Sequence, residues 1–261
     1  MGIERVLEYS IGLFKRDWRI MLPIVLEWIP TALILLLFLQ AASSIGSIAD
    51  FTNLQSLVTN PGILWQIISV VVLYVILAIP IFIVSVVIGS VLNCVYSDIV
   101  RQSVKRKQIS LVSAFSVAGQ KFLPLLGTYT LEFVVVLAGF GALLILGMLG
   151  GIIGIVIALF VAIVGVFLAV MFFYLTTPVV VLEGKSGWQA MMRSVEVGKS
   201  NFLPLIAILL VTGVVASVIS SGLGNVPMVG IAVSSLAALF LESWRLMMPN
   251  IFYLEYGKKR N

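Results

Sequence analysis

The sequence predicts an all-α polytopic membrane protein: six transmembrane helices, cytoplasmic amphipathic surface helices, and three tandem helical-hairpin repeats. Three observations predict it. Of 261 residues 61% are hydrophobic and only 10% charged, far from the roughly 25% charged of a soluble average. Several apolar stretches are long enough to cross a bilayer. All 16 basic residues fall in segments that an alternation of six spans puts on one side.

The first seventeen residues, MGIERVLEYSIGLFKRD, lack the apolar core and small-residue cleavage site of a secretory signal, so nothing is expected to be removed. Their apolar residues Ile3, Val6, Leu7, Ile11 and Phe14 follow helical spacing, away from Glu4, Arg5, Glu8 and Lys15. This reads as an amphipathic helix, either on the membrane surface or packed on the protein's own cytoplasmic ends.

Crossing the hydrocarbon takes about 20 apolar residues. The first such stretch, Ile20 to Ala42, holds one charge, Glu27. A polar loop with Asp50, Asn53 and Asn60 separates it from Ile63 to Ser97, which holds none. As a helix that second stretch would extend about 52 Å, too long for a core of about 30 Å and too short for two crossings with a turn. Pro80 near its middle suggests a kink. Leu125 to Leu182 contains only Glu132 and accommodates two spans joined at Gly150-Gly151. A fifth span runs from Phe202 to about Ser221, GLGNVP makes the next turn, and a sixth runs from about Met228 to Met248, ahead of Pro249.

The positive charges decide whether Ile63 to Ser97 crosses once or twice. They group as Arg5, Lys15, Arg16 and Arg19; Arg101, Lys105, Arg106, Lys107 and Lys121; Lys185, Arg193 and Lys199; and Arg245, Lys258, Lys259 and Arg260. With one crossing every group lies on the same side, and the connections at 43 to 61, 149 to 151 and 222 to 227 hold none. Cytoplasmic loops retain Lys and Arg, so both termini are placed on the cytoplasmic side. The net charge of +5 then faces the anionic headgroups of the cytoplasmic leaflet, and no nucleic acid need be invoked. Trp18, Trp188 and Trp244 fall near the cytoplasmic boundary and Trp65 near the opposite one, as aromatic belts would.

The segment SLVSAFSVAGQKFLP at 110 to 124 aligns with AMMRSVEVGKSNFLP at 190 to 204, and DWRIMLP at 17 to 23 is a weaker copy. Proline in the first turn of a span is cheap, because those N–H groups have no intrahelical partner. The repeated unit is a surface helix, a proline-marked start and a helical hairpin. Residues 1–261 thus form a single transmembrane domain with repeat-like units of about 1–107, 108–186 and 187–261. Surface helices are expected at 3 to 14, 110 to 120 and 188 to 199.

The stretch TTPVVVLEGKSGWQAMMRSVEVGKSNF at 176 to 202 resembles a recurring pattern of uncharacterised six-span proteins: a proline ending a span, a short apolar run, Glu-Gly, then a surface helix leading into the fifth span. These proteins are similar to the membrane domain attached to some glycerophosphodiester phosphodiesterases, and YLEYGK from Tyr253 resembles their ending. The resemblance implies six helices in a bacterial inner or archaeal plasma membrane and no established activity. The phosphodiesterase reaction is not carried over, because its histidines are absent from this sequence.

Polar groups within spans are costly in lipid and are the candidate binding residues: Glu27, Asn93, Glu132, Glu242 and Arg245. Glu242 and Arg245 share a helix face, and Thr31 and Thr128 lie four residues from Glu27 and Glu132. Ser85, Gly89, Asn93 and Ser97 form a small polar stripe, and Gly213, Ser217 and Ser221 a small-residue face suited to helix packing. Glu183-Gly184 after Pro178 marks a turn or a hinge. The functional reading is a polar cleft open to the cytoplasm that binds or transports a small solute, ion or lipid. The structural reading pairs Glu242 with Arg245 and lets the other acids bond across helices. With no histidine and one cysteine, Cys94, disulfides, Cys/His metal sites and Ser-His or Cys-His catalysis are excluded within this chain, so a non-enzymatic role without cofactor or metal is expected. The other role left open is a membrane-organising or partner-binding scaffold.

Overall fold

A computed structural model describes residues 3–48, 61–105, 107–223 and 229–257. Among them the helices in chain order are α1 (Ile3–Arg16), α2 (Val25–Ile48), α3 (Pro61–Val104), α4 (Leu111–Leu149), α5 (Gly151–Phe173), α6 (Gly187–Ser200), α7 (Phe202–Leu223) and α8 (Val229–Tyr256). A 3-10 segment, Trp18–Ile24, precedes α2, and a short turn, Thr176–Pro178, runs into a π-helical segment, Val179–Glu183. Four helical stretches are long and apolar enough to cross a membrane, or five if α6 and α7, which meet at a 94° bend, form one broken span. The protein is all-helical and built for a bilayer. The expected turn at 222 to 227 and most of the loop at 43 to 61 lie outside the described residues.

Two compact units divide the chain: Pro23–Gly89, and Met1–Leu22 with Ser90–Asn261. They do not follow the repeat-like boundaries. In the smaller unit, α2 and the first part of α3 expose large apolar side chains such as Phe38 and Trp65, the surface a lipid solvent asks for. Helix α3 is one continuous run of 44 residues with Pro80 inside it.

The larger unit holds the polar chemistry. Helices α4 and α5 form a tight hairpin turning at Gly150 and Gly151, where Gly151 takes a left-handed φ of +65°. A Cβ on Gly147 would come within 2.6 Å of Ala158 Cβ, so the backbones meet where only glycine fits. Helix α6 packs on this hairpin, with Ser194 Oγ donating to the Phe172 carbonyl and Gly198 lying flat against the Phe172 ring.

Four expectations are corrected. The segment 110 to 120 is no separate surface helix: α4 runs unbroken from Leu111 through Pro124 to Leu149. Its counterpart does break: Asn201, aligned with Lys121, leaves the helical region at φ −128° and ends α6, with its Nδ2 on the Val197 carbonyl at 2.9 Å. Pro249 does not end the last helix: α8 continues to Tyr256, with Asn250 Nδ2 donating to the Leu246 carbonyl. Trp244 is no interfacial residue, since it is 4% exposed and bonded inside the unit, whereas Trp18, Trp65 and Trp188 are exposed. On α7, Gly213 and Ser217 are exposed and a Cβ on Gly213 would meet nothing, so that part of the small-residue face makes no close helix contact.

Candidate functional site

Polar side chains stitch the larger unit together along the C-terminal part of α3 and the length of α8. Tyr96 and Ser243 share a buried hydrogen bond of 2.9 Å, and Ser97 donates to Asn250. Asp98, 1% exposed, pairs with Arg101 and accepts from Gln102 Nε2 at 2.6 Å. Gln102 Oε1 in turn accepts from the Ser110 N–H at 2.8 Å, fixing the loop that starts α4. Farther along, Glu183 accepts from the Tyr253 hydroxyl and pairs with Lys185 at 2.8 Å and Arg193 at 3.4 Å. Arg193 also reaches the Gly257 carbonyl at 3.4 Å. The two segments that carry the family resemblance, 176 to 202 and the one from Tyr253, are therefore bonded to each other. Gly184, at φ +75°, caps the π-helical segment Val179–Glu183, the turn reading of Glu183-Gly184.

Two of the candidate acids, Glu132 and Glu242, lie in the larger unit. Glu132 is 8% exposed and accepts from Thr176 Oγ1, while its neighbour Tyr129 bonds Thr177. Thr128 serves the backbone instead, donating to the Pro124 carbonyl and accepting from the Gly187 N–H at 2.8 Å. Glu242 pairs with Arg245 at 2.7 Å on one half-exposed face of α8. Glu132 and Glu242 thus have separate partners. Asn93 is half-buried on α3. Glu27 belongs to the smaller unit, partly exposed near the start of α2, and Thr31 Oγ1 bonds its backbone carbonyl at 2.9 Å rather than its carboxylate. Among the described residues no three metal-ligating side chains cluster.

What the sequence reading did not single out is a cleft of about 620 Å³ beside α1. Helix α1 buries Val6, Ser10, Leu13 and Phe14 on one face. Phe14 packs on Phe240 with ring centroids 4.5 Å apart, and Trp244 Nε1 donates to Ser10 Oγ at 2.8 Å. Turned by roughly a third of the wheel, Arg5, Glu8, Tyr9, Gly12 and Arg16 line the cleft. Tyr9 donates to Ser103 Oγ at 3.0 Å and so ties α1 to the end of α3. Across the gap α8 contributes Ile251, Leu254 and Glu255. Among the described residues neither Arg5 nor Arg16 has an ion-pair partner, and one buried oxygen of Glu255 has no hydrogen-bond donor. The sequence signal was present in the i, i+4, i+7, i+11 spacing of Arg5, Tyr9, Gly12 and Arg16, but only the fold shows that this face looks into a gap.

The cleft can hold an elongated molecule with polar groups at its rim and apolar wall along Val104, Ile251 and Leu254. Comparison with known protein families, with curated proteins and with solved structures finds no match to this chain.

Proposed function

We propose that this chain is a non-enzymatic protein of a prokaryotic plasma membrane, with six spans and both termini cytoplasmic, that holds a membrane lipid in the cleft beside α1. The observation that carries the reading is the cleft itself: about 620 Å³ bounded by apolar wall and by two arginines without ion-pair partners among the described residues. Support for its orientation comes from charge. The three elements that meet there, α1, the end of α3 and the end of α8, belong to three of the four basic groups, so the cleft lies at cytoplasmic headgroup level, where each Lys or Arg gains about 1 kcal/mol from anionic lipid. The ion-carrying version loses support, because Glu132 and Glu242 each have their own partner. Residue 229 onward supplies the sixth span, and α1 and α6 are the interfacial helices.

The test is lipid retention. Protein purified in mild detergent is expected to carry phospholipid that Arg5→Gln/Arg16→Gln loses and Arg245→Gln keeps. Equal retention by all three would overturn the reading. The scaffold alternative is favoured by one observation, the exposed Trp188 and Met192 on α6, and would be supported by vesicle or partner binding that depends on those residues while the cleft variants leave it unchanged.

A further inference from the structure

We infer that the cavity where α3 turns into α4 binds a terminal phosphate group, a phosphate monoester carried by a lipid headgroup or by a soluble phosphate ester. The cavity holds about 250 Å³ and shares no lining residue with the cleft beside α1. Backbone bonds shape it. The Lys105 N–H donates to the Arg101 carbonyl at 3.2 Å, and the Lys107 N–H returns to the Gln102 carbonyl at 3.1 Å, so the chain folds back over the end of α3. Gln102 Oε1 then accepts from the Ser110 N–H at 2.8 Å and fixes the stretch that leads into α4. Arg101, Lys105 and Lys107 are thereby brought to the wall of one cavity.

The groups left unspent identify the occupant. Asp98 is the one acid among the described residues of the wall, and both its oxygens are engaged: Oδ1 in the ion pair with Arg101, Oδ2 by Gln102 Nε2 at 2.6 Å. Ser110 Oγ already accepts from the Ser113 N–H at 3.3 Å, so the first turn of α4 is capped by its own side chain. What remains are donors. Among the described residues the ammonium groups of Lys105 and Lys107 have neither an ion-pair nor a hydrogen-bond partner, and the Gln108 amide and Ser113 hydroxyl beside them are equally unengaged. Such a cavity calls for an occupant that brings acceptors and negative charge. Three cations against one carboxylate leave the wall a net charge of +2. A phosphate monoester matches it, with about −1.5 to −2 charge near pH 7 and three acceptor oxygens. A diester brings a single negative charge and has to lead two substituents out of a small cavity.

The experiment has two arms on the full chain. In the first, nanodiscs of phosphatidylcholine carry equal shares of phosphatidic acid, a monoester, and phosphatidylglycerol, a diester, and lipid retained on extraction into detergent is counted by native mass spectrometry. In the second, glycerol 3-phosphate is titrated calorimetrically onto the chain in pure phosphatidylcholine discs. An excess of phosphatidic acid over phosphatidylglycerol assigns the phosphate to a lipid, and binding of glycerol 3-phosphate without that excess assigns it to a soluble ester. In the arm that responds, Lys105→Gln/Lys107→Gln is expected to weaken binding at least about tenfold, the scale of one hydrogen bond between charged groups. Ser113→Glu places a carboxylate in the cavity, where it also suits the first turn of α4, and should abolish binding without lowering the melting temperature. Lys15→Gln/Lys199→Gln removes the same charge from exposed positions elsewhere and should change nothing. Arg5→Gln/Arg16→Gln should lose the cleft lipid and keep the phosphatidic acid excess. Silence in both arms, or equal losses from the two lysine pairs, overturns the site. A preference that persists without Lys105 and Lys107 and vanishes without Arg5 and Arg16 gives the phosphate to the cleft and overturns the site as well. Equal, Lys105- and Lys107-dependent retention of the two anionic lipids overturns the monoester assignment.

Discussion

Trp244 donates its indole N–H to Ser10 Oγ at 2.8 Å, joining the last helix to the first across 234 residues of sequence. Ser10 Oγ in turn donates a hydrogen bond to the Leu7 carbonyl at 2.7 Å, so the two bonds form a short chain on the buried face of α1. Trp244→Phe keeps the stacking on Phe240 and deletes the bond. The loss is expected to cost about 0.5–1.5 kcal/mol, read as a lowered melting temperature in detergent, with Trp188→Phe, at an exposed site, as the unaffected control.

Glu132 and Thr176 test whether the deepest acid is structural. Glu132→Gln keeps an acceptor for Thr176 Oγ1, and it is expected to leave both melting temperature and lipid retention unchanged. Glu132→Leu strands a fully buried hydroxyl and should cost about 1–3 kcal/mol. A proton-coupled flux in proteoliposomes that vanished in Glu132→Gln would instead make this acid the functional centre.

The α4/α5 hairpin supplies an internal comparison between two glycines of one helix. A methyl on Gly147 would sit 2.6 Å from Ala158 Cβ, so Gly147→Ala must push the helices apart and should destabilise by about 1–3 kcal/mol. A methyl on Gly139 would meet nothing, and Gly139→Ala should stabilise by up to about 1 kcal/mol through helix propensity alone. Thermal unfolding of the two variants should move in opposite directions.

Local rules explain which features were legible before the structure. The Gly150-Gly151 turn, the unbroken α3 and the Glu242/Arg245 pair follow from span length, a left-handed position and i, i+3 spacing. The fate of Pro124 and Pro249 was not legible, because both stand inside continuous helices, and the aligned segments part at Asn201 but not at Lys121 with no local pattern that tells them apart. Trp244 looked interfacial by its place near a span end, yet it is buried and its indole bonds Ser10 of α1. The cleft is a long-range product of the same kind. Its lining unites residues near 5 to 16, 103 and 251 to 255, which no local pattern relates.

Asp17 gives a pH dependence outside the spans. Hydrogen bonds from the Arg19 side chain, Nε at 3.0 Å and Nη2 at 3.1 Å, hold its carboxyl below the usual value of 3.8 despite some burial. A depressed carboxylate contributes stability that is fully present above the unfolded value and is lost as pH falls through the folded one. Melting temperature should therefore fall below pH 3.8 more steeply for the unaltered protein than for Asp17→Asn. The effect is small, because the pair sits at the surface.

Topology follows from the same charges and has a direct assay. Tyr9 bonds Ser103 and Trp244 bonds Ser10, so the N-terminal helix, the end of α3 and α8 are held together in one unit and must share a side of the membrane where they meet. In the proposed topology the basic residues put that side in the cytoplasm. In a Cys94→Ser background, a membrane-impermeant thiol reagent applied to intact cells should label a cysteine at position 50 and leave one at position 105 untouched until the membrane is opened. Labelling at 105 and protection at 50 would invert the orientation and remove the cleft from the cytoplasmic leaflet. Labelling at both would place 50 and 105 on the same face, and α3, with its unbroken 44 residues, would then not cross between them.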